Sequence, residues 1–346
     1  WEITPSTAGY ASLGHVLTVV QTGLTKSGKW VAIFGNGYFG ASGVASLYIA
    51  DLDTGAIIKQ ISTGVGGNNG LGGVRVIRDD NRRIIGAYAG DLKGNMWKFD
   101  LFDASSSNWR LGLSNSPLYS AGPTKPITAQ PIAVIHPSGG NVINFGTGKL
   151  FENSDVNNTV TQTLYGVWDS VAFGSSTTPT GITQTGTTTL VLQTISAPIT
   201  GGFSIVTSPA GVTSTASLNF FTISQNPVDW STKRGWYINL PNTGQRNVYP
   251  LTEVIPGSGL IAFDTLSTSG ISQDPCVRAS SGRSWYYVVD GATGAGPAQT
   301  RFTFDTNGDG TVDSLDFYAT GVEGKATGPR KILIKDIADG GFVSGG

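Results

Sequence analysis

Short apolar runs that end in a Gly/Asn or Asp/Gly cluster recur along this chain. Lys29-Trp30-Val31-Ala32-Ile33-Phe34 runs into Gly35-Asn36-Gly37. Ser46-Leu47-Tyr48-Ile49-Ala50 ends in Asp51-Leu52-Asp53-Thr54-Gly55, and Ala56-Ile57-Ile58-Lys59-Gln60-Ile61 follows. Two such runs joined by a tight Asp/Gly turn predict a β-hairpin. The pattern returns in Arg83–Asp91 and, after Gly94-Asn95, in Met96–Asp100. It returns again in Asn141–Lys149, Thr163–Asp169, Arg234–Leu240, Gly259–Thr265 and Ser284–Asp290, the last followed by Ala292-Thr293-Gly294.

Recurrence of strand, glycine turn, aromatic strand and aspartate at intervals of tens of residues is the sequence mark of a β-propeller. A small twisted sheet cannot bury both faces alone, and stacking sheets around an axis buries them and shields their edges. The expected fold is all-β, a modified β-propeller forming a single domain over 1–346. Tryptophan, tyrosine and phenylalanine are expected to fill the layers between sheets rather than to bind carbohydrate. Gly174 to Thr188 reads as a surface loop. Leu190–Ile195 alternates and is kept within the fold, and 339–346 reads as a poorly ordered tail.

One stretch breaks the β pattern. In Asp305-Thr306-Asn307-Gly308-Asp309-Gly310-Thr311-Val312-Asp313-Ser314-Leu315-Asp316, oxygen-bearing side chains fall at loop positions 1, 3, 5, 9 and 12, with glycine at 6. That is the ligand spacing of an EF-hand-type calcium loop. Asp305, Asn307 and Asp309 each offer a side-chain oxygen, Thr311 its carbonyl, and Asp313 binds directly or through water. Asp316 closes the shell, one methylene shorter than the usual glutamate, so bidentate closure is less secure. Four carboxylates crowded together are costly without a cation. A flexible-geometry ion such as Ca²⁺ suits the set better than Mg²⁺, which demands a strict octahedron. The flanks are not helical: Arg301–Phe304 alternates like a strand, and Phe317–Gly321 is too short. The loop is therefore read as inserted between β elements. Its spacing is compatible with a structural staple and with a switch.

Composition narrows the function. Net charge is −1 and only 13% of the 346 residues are charged, so no bulk field favours nucleic acid or an anionic membrane. No apolar run reaches the roughly 18 residues of a bilayer-crossing helix. Cys276 is alone; it reads as a small buried hydrophobe or as the partner of a cysteine outside this sequence. The chain begins at Trp1 with no signal peptide and reads as a processed piece. Low charge, Thr/Ser/Gly richness and a calcium loop fit an exported protein, because cytosolic Ca²⁺ is too scarce to fill a weak site.

At these residues the chain resembles the C-terminal domain of the PilY/PilC family, the tip-associated adhesins of type IV pili. The resemblance is carried by Gly28–Tyr38, Leu47–Gly55, Tyr88–Asp100, Phe145–Lys149, Tyr165–Asp169, Lys233–Leu240 and the Asp305–Asp316 loop, in the family's order. It implies a modified β-propeller at the pilus tip, exported through the periplasm and outer membrane of a Gram-negative bacterium. It also implies assembly with minor pilins, surface attachment through a receptor it does not identify, and calcium-dependent control of pilus extension against retraction. Calcium binding carries over onto Asp305, Asn307, Asp309, Thr311, Asp313 and Asp316. The family's large N-terminal portion has no counterpart here. No Arg-Gly-Asp triplet occurs, and Arg78-Asp79-Asp80-Asn81-Arg82 reads as a solvated turn.

Propellers with Asp-x-x-Thr-Gly turns also occur in pyrroloquinoline-quinone dehydrogenases, the alternative reading. No vicinal cysteine pair is present, and no motif sets an acid beside a cofactor-binding calcium. His15 and His136 stand far apart and outside any motif, and Gly35-Asn36-Gly37 and Gly146-Thr147-Gly148 lack the helix start of a phosphate loop. A non-enzymatic role is expected.

Overall fold

The computed structural model describes residues 1–177, 182–207, 212–268, 282–298, 302–307, 312–325, 332–336 and 341–345. Among them, β-strands and three short 3₁₀ turns make an all-β chain. It forms two compact units. One comprises Trp1–Lys149, Val167–Leu190 and Val248–Leu251; the other comprises Leu150–Gly166, Val191–Asn247 and Thr252–Gly346. Cys276 lies outside the described residues.

In the first unit, Gln21–Leu24, Trp30–Gly35, Ser46–Asp51 and Ile57–Ser62 form an antiparallel sheet in chain order. Alternation along its central strands sends Val31, Ile33, Leu47 and Ile49 into one core with Leu71, Val74, Trp97 and Phe99. Ala32, Phe34, Tyr48 and Ala50 go to the opposite face with Tyr10. Both faces are dry, which is why these strands read as continuous apolar runs rather than as an alternation. A second sheet holds Leu71–Arg78, Ile84–Asp91 and Asn95–Asp100, with short strands at Arg110–Leu111, Tyr119–Ser120 and Gln184–Thr185. The last of these lies within the Gly174–Thr188 stretch and pairs in parallel with Tyr119–Ser120.

The second unit carries a six-stranded sheet in the order Ile199–Thr207, Val212–Phe221, Gly321–Lys325, Arg283–Asp290, Leu260–Ser267 and Thr252–Glu253. Val191–Gln193 pairs in parallel with Gly235–Asn239. Phe302–Phe304, Ile332–Asp336 and Gly341–Gly345 form a three-stranded sheet; its last strand lies in the stretch read from sequence as a tail.

Each unit contains one Asp-x-x-Thr-Gly turn of the same build. Asp51 Oδ1 accepts from the amides of Asp53 and Thr54 and from the Thr54 hydroxyl, all at 3.1 Å. Asp290 Oδ1 accepts from the amides of Ala292 and Thr293 at 3.0 Å and from the Thr293 hydroxyl at 3.2 Å. Gly55 and Gly294 close the turns at φ +72° and +69°, a conformation that glycine adopts without penalty. A tryptophan lies on each glycine. Trp1 Nε1 donates to Leu52 O at 2.9 Å, and Trp236 Nε1 donates to Gly291 O at 3.2 Å. A Cβ on Gly294 would stand 2.2 Å from the Trp236 ring.

Candidate metal centre

The acidic loop is held at both ends by aromatic packing. Phe304 leads into it from Phe302–Phe304 and is fully buried; Phe317 leaves it. Both rings meet Phe220, at centroid distances of 6.3 and 5.4 Å, in a core with Leu260, Ala262, Val288 and Val322. Apolar burial on either side of a polar segment fixes where its ends sit before any ligand is considered.

Within the loop, Asp316 is the hub. It is 8% exposed. Its Oδ1 accepts from the Thr306 amide at 2.6 Å, the Thr306 hydroxyl at 3.0 Å and the Asn307 amide at 3.2 Å. Its Oδ2 accepts from the Asp313 amide at 2.9 Å. These bonds draw loop positions 2 and 3 against positions 9 and 12. Thr306, 1% exposed, completes the lock, since its hydroxyl also accepts from the Phe317 amide at 2.9 Å. Spacing gave no hint of Thr306, because position 2 of such a loop carries no ligand; a hydroxyl followed eleven residues later by a half-buried ring is visible only in three dimensions. Asp313 is exposed and caps Leu315 N through Oδ1 at 2.7 Å.

Of the residues proposed from sequence, the structure thus joins Asn307, Asp313 and Asp316 through these bonds and places Asp305, 9% exposed, at the loop's entry. Asp309 and Thr311, with Gly308 and Gly310, lie outside the described residues. Among those described, no three His, Cys, Asp or Glu side chains converge as a metal site. The donor set still fits a hard divalent cation: the loop sequence supplies four carboxylates, an amide and no lysine or arginine. Asp316 Oδ1 already serves three donors, whereas Oδ2 serves one. A carboxylate oxygen has about two lone-pair directions, so a cation approaching Asp316 would find room at Oδ2 rather than Oδ1.

The remaining acidic turns are built otherwise. Asp91 is fully buried. Its Oδ1 accepts from the amides of Lys93 and Asn95, both at 2.9 Å. Its Oδ2 accepts from Asn69 Nδ2 at 3.0 Å, Asn95 Nδ2 at 3.0 Å and Trp97 Nε1 at 2.9 Å. Asp79 takes the Asn81 and Arg83 amides and pairs with the Arg83 guanidinium at 2.8 Å, as a self-contained turn. Asn36, in Gly35-Asn36-Gly37, is likewise a turn hub: it accepts from Ser46 N and Leu71 N and donates to Ser12 O and Val44 O.

One buried cluster has no trace in the sequence pattern. Lys98 Nζ lies 2.8 Å from Asp169 Oδ2, and Tyr88 donates to the same oxygen at 2.5 Å. Burial first, and the Asp169 charge second, push the Tyr88 phenol well above its ordinary range. His136 is buried and stacks on Trp168 at 4.1 Å, with Nδ1 accepting from the Ser138 amide.

Known proteins share this architecture. The sequence model of the PilY1 beta-propeller domain matches residues 7–201. The type IV pilus biogenesis factor PilY1 of Pseudomonas aeruginosa strain PAO1 is 34% identical over 340 residues, covering 89% of this chain and 28% of the relative. A PilY1 homolog of Xylella fastidiosa is 33% identical over 295 residues, covering 78% of this chain and 18% of the relative. The crystal structure of the P. aeruginosa PilY1 C-terminal domain aligns with TM-score 0.78 at 27% identity, over all of this chain and 74% of that one. The chain spans 28% or less of the length of these two curated relatives.

Proposed function

This chain belongs to the PilY1 family, and from that premise we propose that it is a calcium-binding β-propeller domain of a pilus-tip adhesin. In this reading it supports type IV pilus biogenesis, attaches the pilus to surfaces, and biases extension against retraction according to calcium. Its partners are minor pilins at the tip of an extracellular pilus, with a surface receptor beyond them. The relatives are named as biogenesis factors, which favours assembly over the quinoprotein alternative.

The observation that carries the calcium reading is the anchoring of Asp316 by four donors of its own loop. The loop's own sequence brings no basic side chain to its four carboxylates. Asp305, Asn307, Asp309, Thr311, Asp313 and Oδ2 of Asp316 would hold the ion. Bound there, Ca²⁺ supplies positive charge that relieves repulsion among the carboxylates. The chain does the rest. Thr306 and Asp316 hold the two halves of the loop together, and Phe304 and Phe317 transmit the loop's position to Phe220. Gly201, on the neighbouring strand, lets the Thr306 carbonyl approach to where a Cβ would stand 2.7 Å away.

Titration calorimetry with CaCl₂ tests this. The expected result is saturable heat for the native chain, with Asp309→Ala losing at least about tenfold in affinity, or 1.4 kcal/mol. Equal heats for both would place calcium elsewhere. Co-purification with minor pilins in calcium, weakened by the same substitution, tests the pilus half of the proposal.

A further inference from the structure

Edges of β-sheets invite pairing, and proteins guard them with short strands, charges or bulges. Most described edges here follow that rule. Gln21–Leu24 is four residues long, Thr252–Glu253 two, and Val191–Gln193 three. Ile57–Ser62 carries Lys59. Leu71–Arg78 carries two arginines and two register shifts.

Ile199–Thr207 does not follow it. It is a nine-residue terminal strand of the second unit's six-stranded sheet, with no charged residue and no proline. It pairs with Val212–Phe221 at nine successive positions, from Ile199↔Phe220 to Thr207↔Val212. Among the described residues, that strand in turn meets the sheet at Phe220↔Val322 and Phe221↔Gly321 alone. The two strands therefore form a ribbon rooted at one end, with no strand among the described residues paired to its outer edge. A two-stranded ribbon alone is marginal in water. The ribbon also sits in a stretch from Ser170 to Val228 that contains no Asp, Glu, Lys or Arg. Ile199, at its root, is 42% exposed.

We infer that the outer edge of Ile199–Thr207 is a self-association surface, paired antiparallel with the same strand of a second copy of this chain. Charge decides the occupant. A charged strand laid on this edge would lose hydration and find no counter-charge. The matching strand must be uncharged, rich in Thr, Ser, Val and Ile, and about nine residues long; the same strand of another copy is all three. Two-fold symmetry makes the pairing isologous, main-chain hydrogen bonds supply the affinity, and the sheet continues from one copy into the next.

Sedimentation equilibrium over about 1–200 μM, where weak pairing registers, tests the inference. The native chain is expected to pass from monomer to dimer as concentration rises. Ser204→Lys, which sets two lysines close together near the two-fold, should weaken association at least tenfold. Mixing Ser204→Lys with Ser204→Glu should restore it as a heterodimer. A native chain that stays monomeric overturns the inference, as does a dimer indifferent to Ser204→Lys. Binding of a synthetic Val212–Phe221 peptide without self-association would also overturn it, by assigning the edge to a foreign strand. Thermal melting monitored by circular dichroism checks that each variant folds; should Ser204→Lys fail, Thr200→Lys at the ribbon's root gives the same reading.

Discussion

The Asp91 turn and the Asp305–Asp316 loop both gather backbone amides around an aspartate, yet one holds a single carboxylate and the other four. Asp91 is one carboxylate served by donors from five groups: Lys93 N, Asn95 N, Asn95 Nδ2, Asn69 Nδ2 and Trp97 Nε1. Its charge is fully answered by fixed dipoles, so the turn needs no ion. The Asp305–Asp316 loop holds four carboxylates in twelve residues and commits four donors to Asp316. On the proposed reading, an ion-binding acidic loop differs from a structural acidic turn in how many carboxylates it gathers, not in the presence of aspartate and glycine.

Removing the hub of the self-sufficient turn should have the largest effect. Asp91→Ala strands the buried Trp97 indole N–H and one N–H of the Asn69 amide, whose nitrogen still donates to Val65 O. Leaving such groups unpaired costs about 1–3 kcal/mol each, so a loss of about 3–5 kcal/mol is expected for the variant. Urea unfolding measures it, and the loss should be identical in CaCl₂ and in EGTA. A calcium-dependent loss would erase the distinction between the two regions.

In the loop the effects should separate. Asp316→Asn replaces an acceptor with an amide whose N–H₂ would face the loop's own N–H groups. It should cost about 1–2 kcal/mol even in EGTA, the price of a lost charged acceptor. Asp309→Asn should leave the EGTA melting curve unchanged and reduce only the stabilisation by calcium. For the native chain that stabilisation is expected to be about 2.7 kcal/mol at a hundredfold excess over Kd. If Asp316→Asn behaved like Asp309→Asn, Asp316 would be a ligand and nothing more.

The contrast also marks how far sequence can be read. The strands Trp30–Gly35, Ile84–Asp91 and Thr163–Asp169, and the first half of Leu260–Ser267, were legible because burial on both faces writes an apolar run into each. The Asp51–Gly55 and Asp290–Gly294 turns were legible because their hydrogen bonds are local. The loop from Asp305 to Asp316 stood out by its oxygen spacing, while the bonds that close it on Asp316 did not. Donors from outside a turn leave no periodic trace: neither Asn69 on Asp91, nor Lys98 and Tyr88 on Asp169, nor Thr306 beneath Phe317 follows from spacing. The ribbon at Ile199–Phe221 was blurred for a different reason. Its Thr, Ser and Gly suit loops as well as strands, and the pairing that decides between them is tertiary.

The smallest expected effect concerns a group that answers burial by shedding charge rather than collecting donors. His136 is buried against Trp168, and burial lowers its pKa below the ordinary 6.5. Its Nδ1 accepts from Ser138 N at 3.0 Å, so the neutral ring is the form the fold recognises. The folded state therefore takes up a proton less readily than the unfolded chain. Stability tied to this group is present above about pH 6.5 and is lost as pH falls below it. His136→Phe keeps the stacking and removes the titration, at the cost of the Ser138 bond. It should lower stability slightly at pH 8 and flatten the decline between pH 7 and pH 5 in urea unfolding. An unchanged slope would mean that the acid sensitivity resides in carboxylates, and calcium at saturating concentration would then have to reduce it.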